Sequence, residues 1–307
     1  MAKITFSILI TTKNRLTDLA FTLQKINYLL IQDTVECVVF DDGSTDGTYE
    51  YVQEKFPLIQ LRSNAVSKGY IFCRNKMLNE TKAVYAISLD DDAHFVTENS
   101  LESIQQYFEE NIHCALIAMR IFWGLDEPVS KVYSEKPHRV QGFVGCAHAW
   151  RMKAWRDIPN YPEWFVFYGE ENFASYQLFK KYWQIHYLPQ VLVNHRVDAK
   201  SRRNNADYTV RLRRSLRSGW YLFFMFYPIL TIPRKMGYSL WVQFKLKVFK
   251  GDFKAFQAIV LALLDLVWNM PRILKNSNRL TKKEYELYIQ LPETKLYWQP
   301  ENSQNLK

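Results

Sequence analysis

Cysteine is scarce and unpaired in this chain. Its four copies, Cys37, Cys73, Cys114 and Cys146, lie far apart and form no CxxC pair. That spacing argues against a structural zinc site, and Cys37 and Cys114 fall in apolar runs, so reduced, buried thiols in a cytosolic protein are expected. No run reaches the roughly 18 uninterrupted apolar residues of a spanning helix. The nearest, Trp220 to Ile232, contains Pro228. The apolar N-terminal stretch is short, no small-residue cleavage site follows it, and Lys13 and Arg15 come next. It therefore reads as a first strand rather than a signal peptide. Internal repeats and low-complexity tracts are also missing. With 16% aromatic and 23% charged residues in 307 positions, the chain has enough apolar material for a sizeable core and is no disordered polymer. The length allows one large domain plus an appendage, or two domains.

What is present is unevenly charged. Residues 200–307 carry 20 Lys/Arg against 7 Asp/Glu, a net of +13, whereas residues 1–199 carry 20 against 24, a net of −4. A mildly acidic body joined to a basic tail is expected, with 198–207, polar and basic, as the linker.

The first half alternates strand and helix patterns. Ile4 to Thr12 reads as a buried strand, and Leu16, Leu19, Leu23, Ile26 and Leu30 recur at helical spacing. Strand 36–40 follows, then a helix through Tyr49, Val52 and Phe56 with Ser44, Thr45 and Asp46 as possible N-caps. A short strand at 59–61, a helix at 69–79 and a strand at 85–89 come next, then a helix capped by Thr97 and a strand from Cys114 to Met119. This order predicts an α/β fold, a mainly parallel sheet with helices on both faces. Ligands of such sheets bind beyond the carboxyl ends of the strands. From Val140 to Arg196 the pattern is less regular and richer in aromatics.

Two acidic turns fall at predicted strand ends. Asp90, Asp91 and Asp92 follow the run Ala83 to Leu89, and Asp41-Asp42-Gly43-Ser44 follows Val38-Val39-Phe40. Three adjacent carboxylates repel one another unless a positive charge sits among them. Oxygen ligands of this kind suit Mg²⁺ or Mn²⁺ with a phosphate on its other side. The two turns together point to a metal-dependent site for a nucleotide diphosphate.

In the tail, Lys245, Lys247, Lys250 and Lys254 alternate with Leu240, Trp241, Phe244, Leu246, Val248 and Phe249, and Trp220 to Tyr227 is densely aromatic. Cationic edges beside apolar faces suit helices lying on an anionic bilayer surface. The alternatives are a helical subdomain packed on the sheet, or a dimer interface.

Taken in order, these elements resemble glycosyltransferase family 2 with its GT-A fold, over roughly Ile4 to Arg196. The resemblance rests on Ser7 to Arg15, Val39 to Thr48, Gly69 with Arg74-Asn75, Leu89 to Asp92, Gly169-Glu170-Glu171 and His195. It implies a nucleotide-sugar half at about 1–120, an acceptor half at about 121–199, and a membrane-associated helical tail at 200–307. It also implies inverting transfer of one sugar from a nucleotide diphosphate to a hydroxyl. By the resemblance, Thr11 lines the base and ribose, Asp41 accepts from a uracil or thymine ring, Asp42 fixes the same turn, and Arg74 lies near the nucleotide with Lys68 a weaker candidate. Asp92 ligates the metal, Asp90 serves ribose or metal, and His195 completes the metal or diphosphate site. The family motif reads Glu-Asp where this chain has Glu170-Glu171, so the base falls on Glu171, with Glu170 the runner-up. A usual acidic residue two places later is Phe173 here. His148 and His186 read as structural, and Trp164, Phe165 and Tyr168 as core by default.

The expected partners are a nucleotide-sugar donor (UDP- or dTDP-linked), a glycan or lipid-linked acceptor of cell-envelope polysaccharide synthesis, and an anionic membrane. The expected place is the inner face of the cell membrane. No nucleic-acid-binding motif accompanies the basic tail. The absence of a Gln-x-x-Arg-Trp motif and of spanning helices argues against a processive synthase. Two rival readings are a non-catalytic, membrane-recruiting relative and a sugar nucleotidyltransferase. The latter would want a glycine-rich phosphate loop, and Thr11 to Arg15 has no glycine.

Overall fold

The computed structural model describes residues 3–197 and 207–300. Most of the expected linker therefore lies outside the described residues. Strands are β1 (Phe6–Thr12), β2 (Val35–Asp41), β3 (Gln60–Ser63), β4 (Tyr85–Asp90), β5 (Ala93–Phe95), β6 (Cys114–Trp123), β7 (His138–Val140), β8 (Ala147–Arg151) and β9 (Gln184–His195). Helices are α1 (Leu16–Leu30), α2 (Thr48–Lys55), α3 (Tyr70–Glu80), α4 (Ser100–Glu110), α5 (Met152–Trp155), α6 (Glu170–Lys180), α7 (Tyr208–Phe226), α8 (Ile232–Leu246), α9 (Phe253–Lys275) and α10 (Lys282–Ile289).

These strands form one sheet in the order β3-β2-β1-β4-β8-β6-β9-β5, with β7 paired to β9. β3, β2, β1 and β4 are parallel, as the βα alternation requires, and β6 runs parallel to β9. β8 enters antiparallel between β4 and β6. The sequence shows β1 as a seven-residue, mostly apolar run but not β8, whose five residues include His148 and end in Arg151. All four cysteines are buried and free, and burial pushes the Cys37 and Cys114 thiols up to about 12.

Two capping expectations change. Thr97 accepts from the Leu192 N–H and donates to the Gln190 carbonyl, so it ties α4's entry to β9 instead of capping the helix. Asp46 serves two helices, accepting from the Leu16 N–H of α1 at 3.1 Å and the Thr48 N–H of α2 at 3.2 Å.

The basic tail packs directly on the sheet assembly. Trp220, Tyr221, Met225 and Phe226 of α7 are at most 1% exposed and share one core with Phe165, Phe173 and Tyr176. The aromatic density of 220–227 is thus core, not a lipid-facing surface. At about 2 kcal/mol for each large side chain fully buried, four contribute on the order of 8 kcal/mol, comparable to a domain's net stability. Arg213 and Arg217 of α7 clamp Asp265 of α9.

α9 also corrects the reading of apolar runs. By length and composition it is the one described helix able to cross a membrane, although only 28% of its most apolar window is buried. A strict uninterrupted-run criterion misses it because Asp265 and Asn269 interrupt the sequence. One face, with Ala255, Ala258, Ile259, Ala262 and Leu266, is buried; the other exposes Phe253, Leu264, Val267 and Trp268.

Candidate active site

The site is built where β1, β2 and β4 end side by side. Register places Thr12 opposite Asp41, and Thr11 opposite both Phe40 and Asp90. Parallel pairing therefore delivers Thr11, Asp41 and Asp90 to one rim. Asp41 Oδ1 accepts the Ser44 N–H at 2.8 Å, which folds the chain into the acidic turn. Asp42 accepts from Asn64 Nδ2, Ser67 Oγ and the backbone N–H groups of Lys68 and Gly69, all within 2.9 Å. Burial opposes its charge, but these bonds outweigh that cost and hold its carboxyl below the ordinary range. Asp42 thereby fixes the loop that leads into α3. Lys68 contributes its backbone there, while its exposed ammonium sits over the Phe72 ring. The Thr11 hydroxyl is buried without a protein partner.

α3 brings in Arg74, which is 5% exposed. Its guanidinium pairs with Asp90 and donates to the Gly145 carbonyl at 3.0 Å. Within the acidic triplet the three carboxylates diverge. Asp91 turns to Thr12 Oγ1 at 2.8 Å and Arg15 Nε at 3.0 Å. Asp92 meets Arg15 Nη2 at 2.7 Å and His195 Nε2 at 3.0 Å.

Asp90, Asp92 and His195 each present a ligand atom, and all three atoms lie within 4.8 Å of one another. Two carboxylates and an imidazole form a donor set suited to Mn²⁺ or Mg²⁺, with imidazole favouring the transition metal. The Asp90 side chain is 36% exposed, leaving an open approach. Burial opposes charge on His195, but the hydrogen bond and the charge of the Asp92 carboxylate beside it favour the imidazolium and raise its pKa. Burial keeps the Cys146 thiol neutral, so Asp92 is the anion that matters. A proton thus stands between two of the metal ligands.

The sequence reading missed the groups that hold this triplet. Arg196 donates its backbone N–H to the Asp92 carbonyl at 2.9 Å and its guanidinium to Thr22 Oγ1 and the Asp18 carbonyl. It also reaches His94 Nδ1 at 2.8 Å. Burial lowers His94 to about 4, so it is neutral and accepts from Arg196 while its Nε2–H faces Glu127. The only sequence signal for Arg196 is its position directly after His195. The described C-terminal end returns to the same rim: Tyr297 stacks on Trp123, whose ring stands edge-on to His195.

Glu170 and Glu171 open α6, and their environments differ. Glu170 is 1% exposed, and one of its carboxylate oxygens is buried with no hydrogen-bond partner. Burial, reinforced by the neighbouring Glu171 carboxylate, pushes its pKa well above the ordinary range. Glu170 is therefore held as the neutral acid; burial raises Glu171 as well, while its backbone bonds and the Arg74 guanidinium favour its charge. Gly145 explains where Glu171 sits: a Cβ there would collide with Glu171 Oε1 and stand 3.5 Å from Arg74 Nη1. Only glycine lets the carboxylate rest on that backbone. Phe173, at the position where an acid is usual, is buried against Phe165 and Phe226. His186 bonds to Tyr107 and Gln184, outside the site, and His148 is wholly buried.

The sequence profile of glycosyl transferase family 2 matches residues 7–175, more than half of the chain. The chain belongs to that family. Among solved structures its fold is similar to GT-A glycosyltransferases. One is GalNAc-T7 with UDP, GalNAc and Mn²⁺, at TM-score 0.57 and 16% identity, covering 73% of this chain and 48% of that one. A second is the mannosyltransferase PcManGT from Pyrobaculum calidifontis in complex with GDP-Man and Mn²⁺, at 0.53 and 14%, covering 94% and 80%. A third is S. aureus TarS, at 0.51 and 18%, covering 68% and 38%. At these identities the likeness is one of fold. The chain spans about half the length of GalNAc-T7 and less of TarS. No curated protein matches the sequence.

Proposed function

We propose that this family 2 transferase is a metal-dependent, inverting enzyme of the membrane surface. It would move one sugar from a UDP- or dTDP-linked donor to a hydroxyl of a glycan or lipid-linked acceptor in cell-envelope polysaccharide synthesis. The observation that carries this reading is the short chain of contacts from the metal group to the base. Arg74 holds Asp90 and the Gly145 carbonyl, and Glu171 rests on that same glycine.

Asp90, Asp92 and His195 would hold Mn²⁺ or Mg²⁺, which when bound neutralises charge on the departing diphosphate. Arg15 keeps Asp92 in place, and Arg74 adds a fixed positive charge beside Asp90. Glu171, the ionised member of its pair, takes the acceptor's proton as the hydroxyl attacks from the face opposite the leaving group. Glu170, neutral and enclosed, adds no second charge beside it. Asp41 and Thr11 lie at the neighbouring strand ends, where a base and ribose would extend.

The membrane reading is supported by the exposed apolar face of α8, α9 and the turn between them. Trp241, Phe249, Phe253, Val267 and Trp268 are all more than half exposed, and Lys245, Lys250, Lys254 and Lys275 are exposed around them. Patches of this kind, ringed by cations, suit an anionic bilayer surface on the cytoplasmic side. The test is hydrolysis of a nucleotide-sugar panel by the whole chain, with Mn²⁺ and with chelator. Metal-dependent release of nucleotide diphosphate supports the reading. None from a folded sample would favour the non-catalytic relative.

A further inference from the structure

The cavity between α6 and α7 has a volume of about 310 Å³ and has Glu171 in its wall. Around it stand Tyr168, Asn172, Tyr176, Ser215, Ser218 and Tyr227. Phenol rings, with Leu222 and Phe223, offer apolar faces; Ser218 donates to the Phe167 carbonyl and Tyr176 to the Tyr227 hydroxyl, so the polar edge comes from Tyr168, Glu171, Asn172 and Ser215. That mixture matches a sugar ring, whose C–H face is apolar and whose rim is polar; an alkyl chain would leave the polar groups unmatched. Its size is at the lower end of small-molecule pockets, about 300 Å³.

Glu171, whose carboxylate rests on Gly145 beside Arg74, also lines this cavity. Glu171 is thus common to the donor side and the α6–α7 side. The turn entering α6 is also unusual. Val166 and Tyr168 have φ of 68° and 70°, followed by Gly169 at 88°. A β-branched residue at positive φ is a genuine outlier that surrounding structure must enforce. α7 supplies the enforcement: Arg217 donates to the Phe165 carbonyl at 2.7 Å and Ser218 to the Phe167 carbonyl at 3.4 Å. α7 lies wholly outside residues 7–175, so this wall belongs to the chain's own C-terminal region.

We infer that the α6–α7 cavity is the acceptor subsite and that it takes a saccharide ring. α7 acts as its specificity-determining wall and as the brace of the base-bearing turn. This rests on the transferase reading above, with Glu171 as base.

Gly219 gives a clean test. It lies in the cavity wall, and a Cβ there meets nothing within 4 Å. Gly219→Leu fills the space, and replacing a mid-helix glycine favours the helix. Ser215→Trp narrows the cavity from an exposed position, and Gly237→Leu, also in open helical space, is the control. The measurement is saturation-transfer NMR on the whole chain with UDP and Mg²⁺. The probes are millimolar methyl glycosides of glucose, galactose and N-acetylglucosamine. The expected result is saccharide signal in the wild type and Gly237→Leu, cut at least tenfold in Gly219→Leu and Ser215→Trp, with UDP signal kept in all. Saccharide signal unchanged in both cavity variants, or none in a wild type that binds UDP, overturns the subsite. Absence of UDP signal from the wild type overturns the transferase reading together with this one.

Discussion

Arg217 donates to the Phe165 carbonyl at 2.7 Å, and the same guanidinium reaches Asp265 at 3.4 Å. A residue of the basic tail therefore braces the turn that carries Glu171. Charge-assisted bonds of this kind contribute about 1.5–3 kcal/mol. Arg217→Ala should lower stability by about that amount in chemical denaturation. It should also lower kcat with little change in nucleotide affinity by calorimetry.

Gly145→Ala tests the seat of the base. Its methyl group would overlap Glu171 Oε1, so the carboxylate must move. Misplacement by about 1 Å can cost on the order of 100-fold in rate. Steady-state kinetics should show a loss of that order, with the melting temperature nearly unchanged.

The two glutamates should separate. Glu171→Gln should reduce transfer by about 10²–10⁴-fold, the usual worth of a general base. Glu170→Gln should retain activity, because Glu170 is already neutral. Its folded pKa is raised, so its contribution is fully present below the unfolded pKa and is lost as pH rises through the folded value. Glu170→Gln should accordingly stabilise the protein at neutral and alkaline pH, and the difference should vanish in acid, as read by melting curves across pH.

Asp265 has the opposite sign. Burial disfavours its charge, but hydrogen bonds and charge from Arg213 and Arg217 outweigh this and lower its pKa. Its contribution is present above the unfolded value, about 3.9, and is lost as pH falls through the folded one. Asp265→Asn should destabilise at pH 7, and its unfolding curve should converge on the wild type's as pH drops below about 4.

Membrane docking can be tested without deleting the tail, which is part of the core. Trp241→Ser, Phe253→Ser and Trp268→Ser together remove exposed apolar groups. They should reduce sedimentation with anionic vesicles while leaving the melting temperature within a few degrees.

The alternating strands and helices of the first 120 residues were legible because parallel βα units give clean periods and end in polar turns. The acidic turns were legible because unpaired carboxylates after an apolar strand need a cation. Less could be read where tertiary contact decides. β8 is only five residues long and carries His148 and Arg151, Trp220 to Tyr227 looks lipid-facing until α6 covers it, and α9 hides a second apolar face behind one acid. Arg15, Arg196 and Arg217 act through partners more than 50 residues away, and Gly145 through Glu171 on another element, which no local spacing reveals.

The central claim is a metal-dependent nucleotide diphosphate site built on Asp90, Asp92 and His195. Its most direct test is calorimetry of UDP, dTDP and GDP with the whole chain, with and without Mn²⁺, repeated on Asp92→Asn. The account predicts binding of UDP or dTDP that needs Mn²⁺ and is lost in the variant. Equal binding without metal, or undiminished binding by Asp92→Asn, would contradict it.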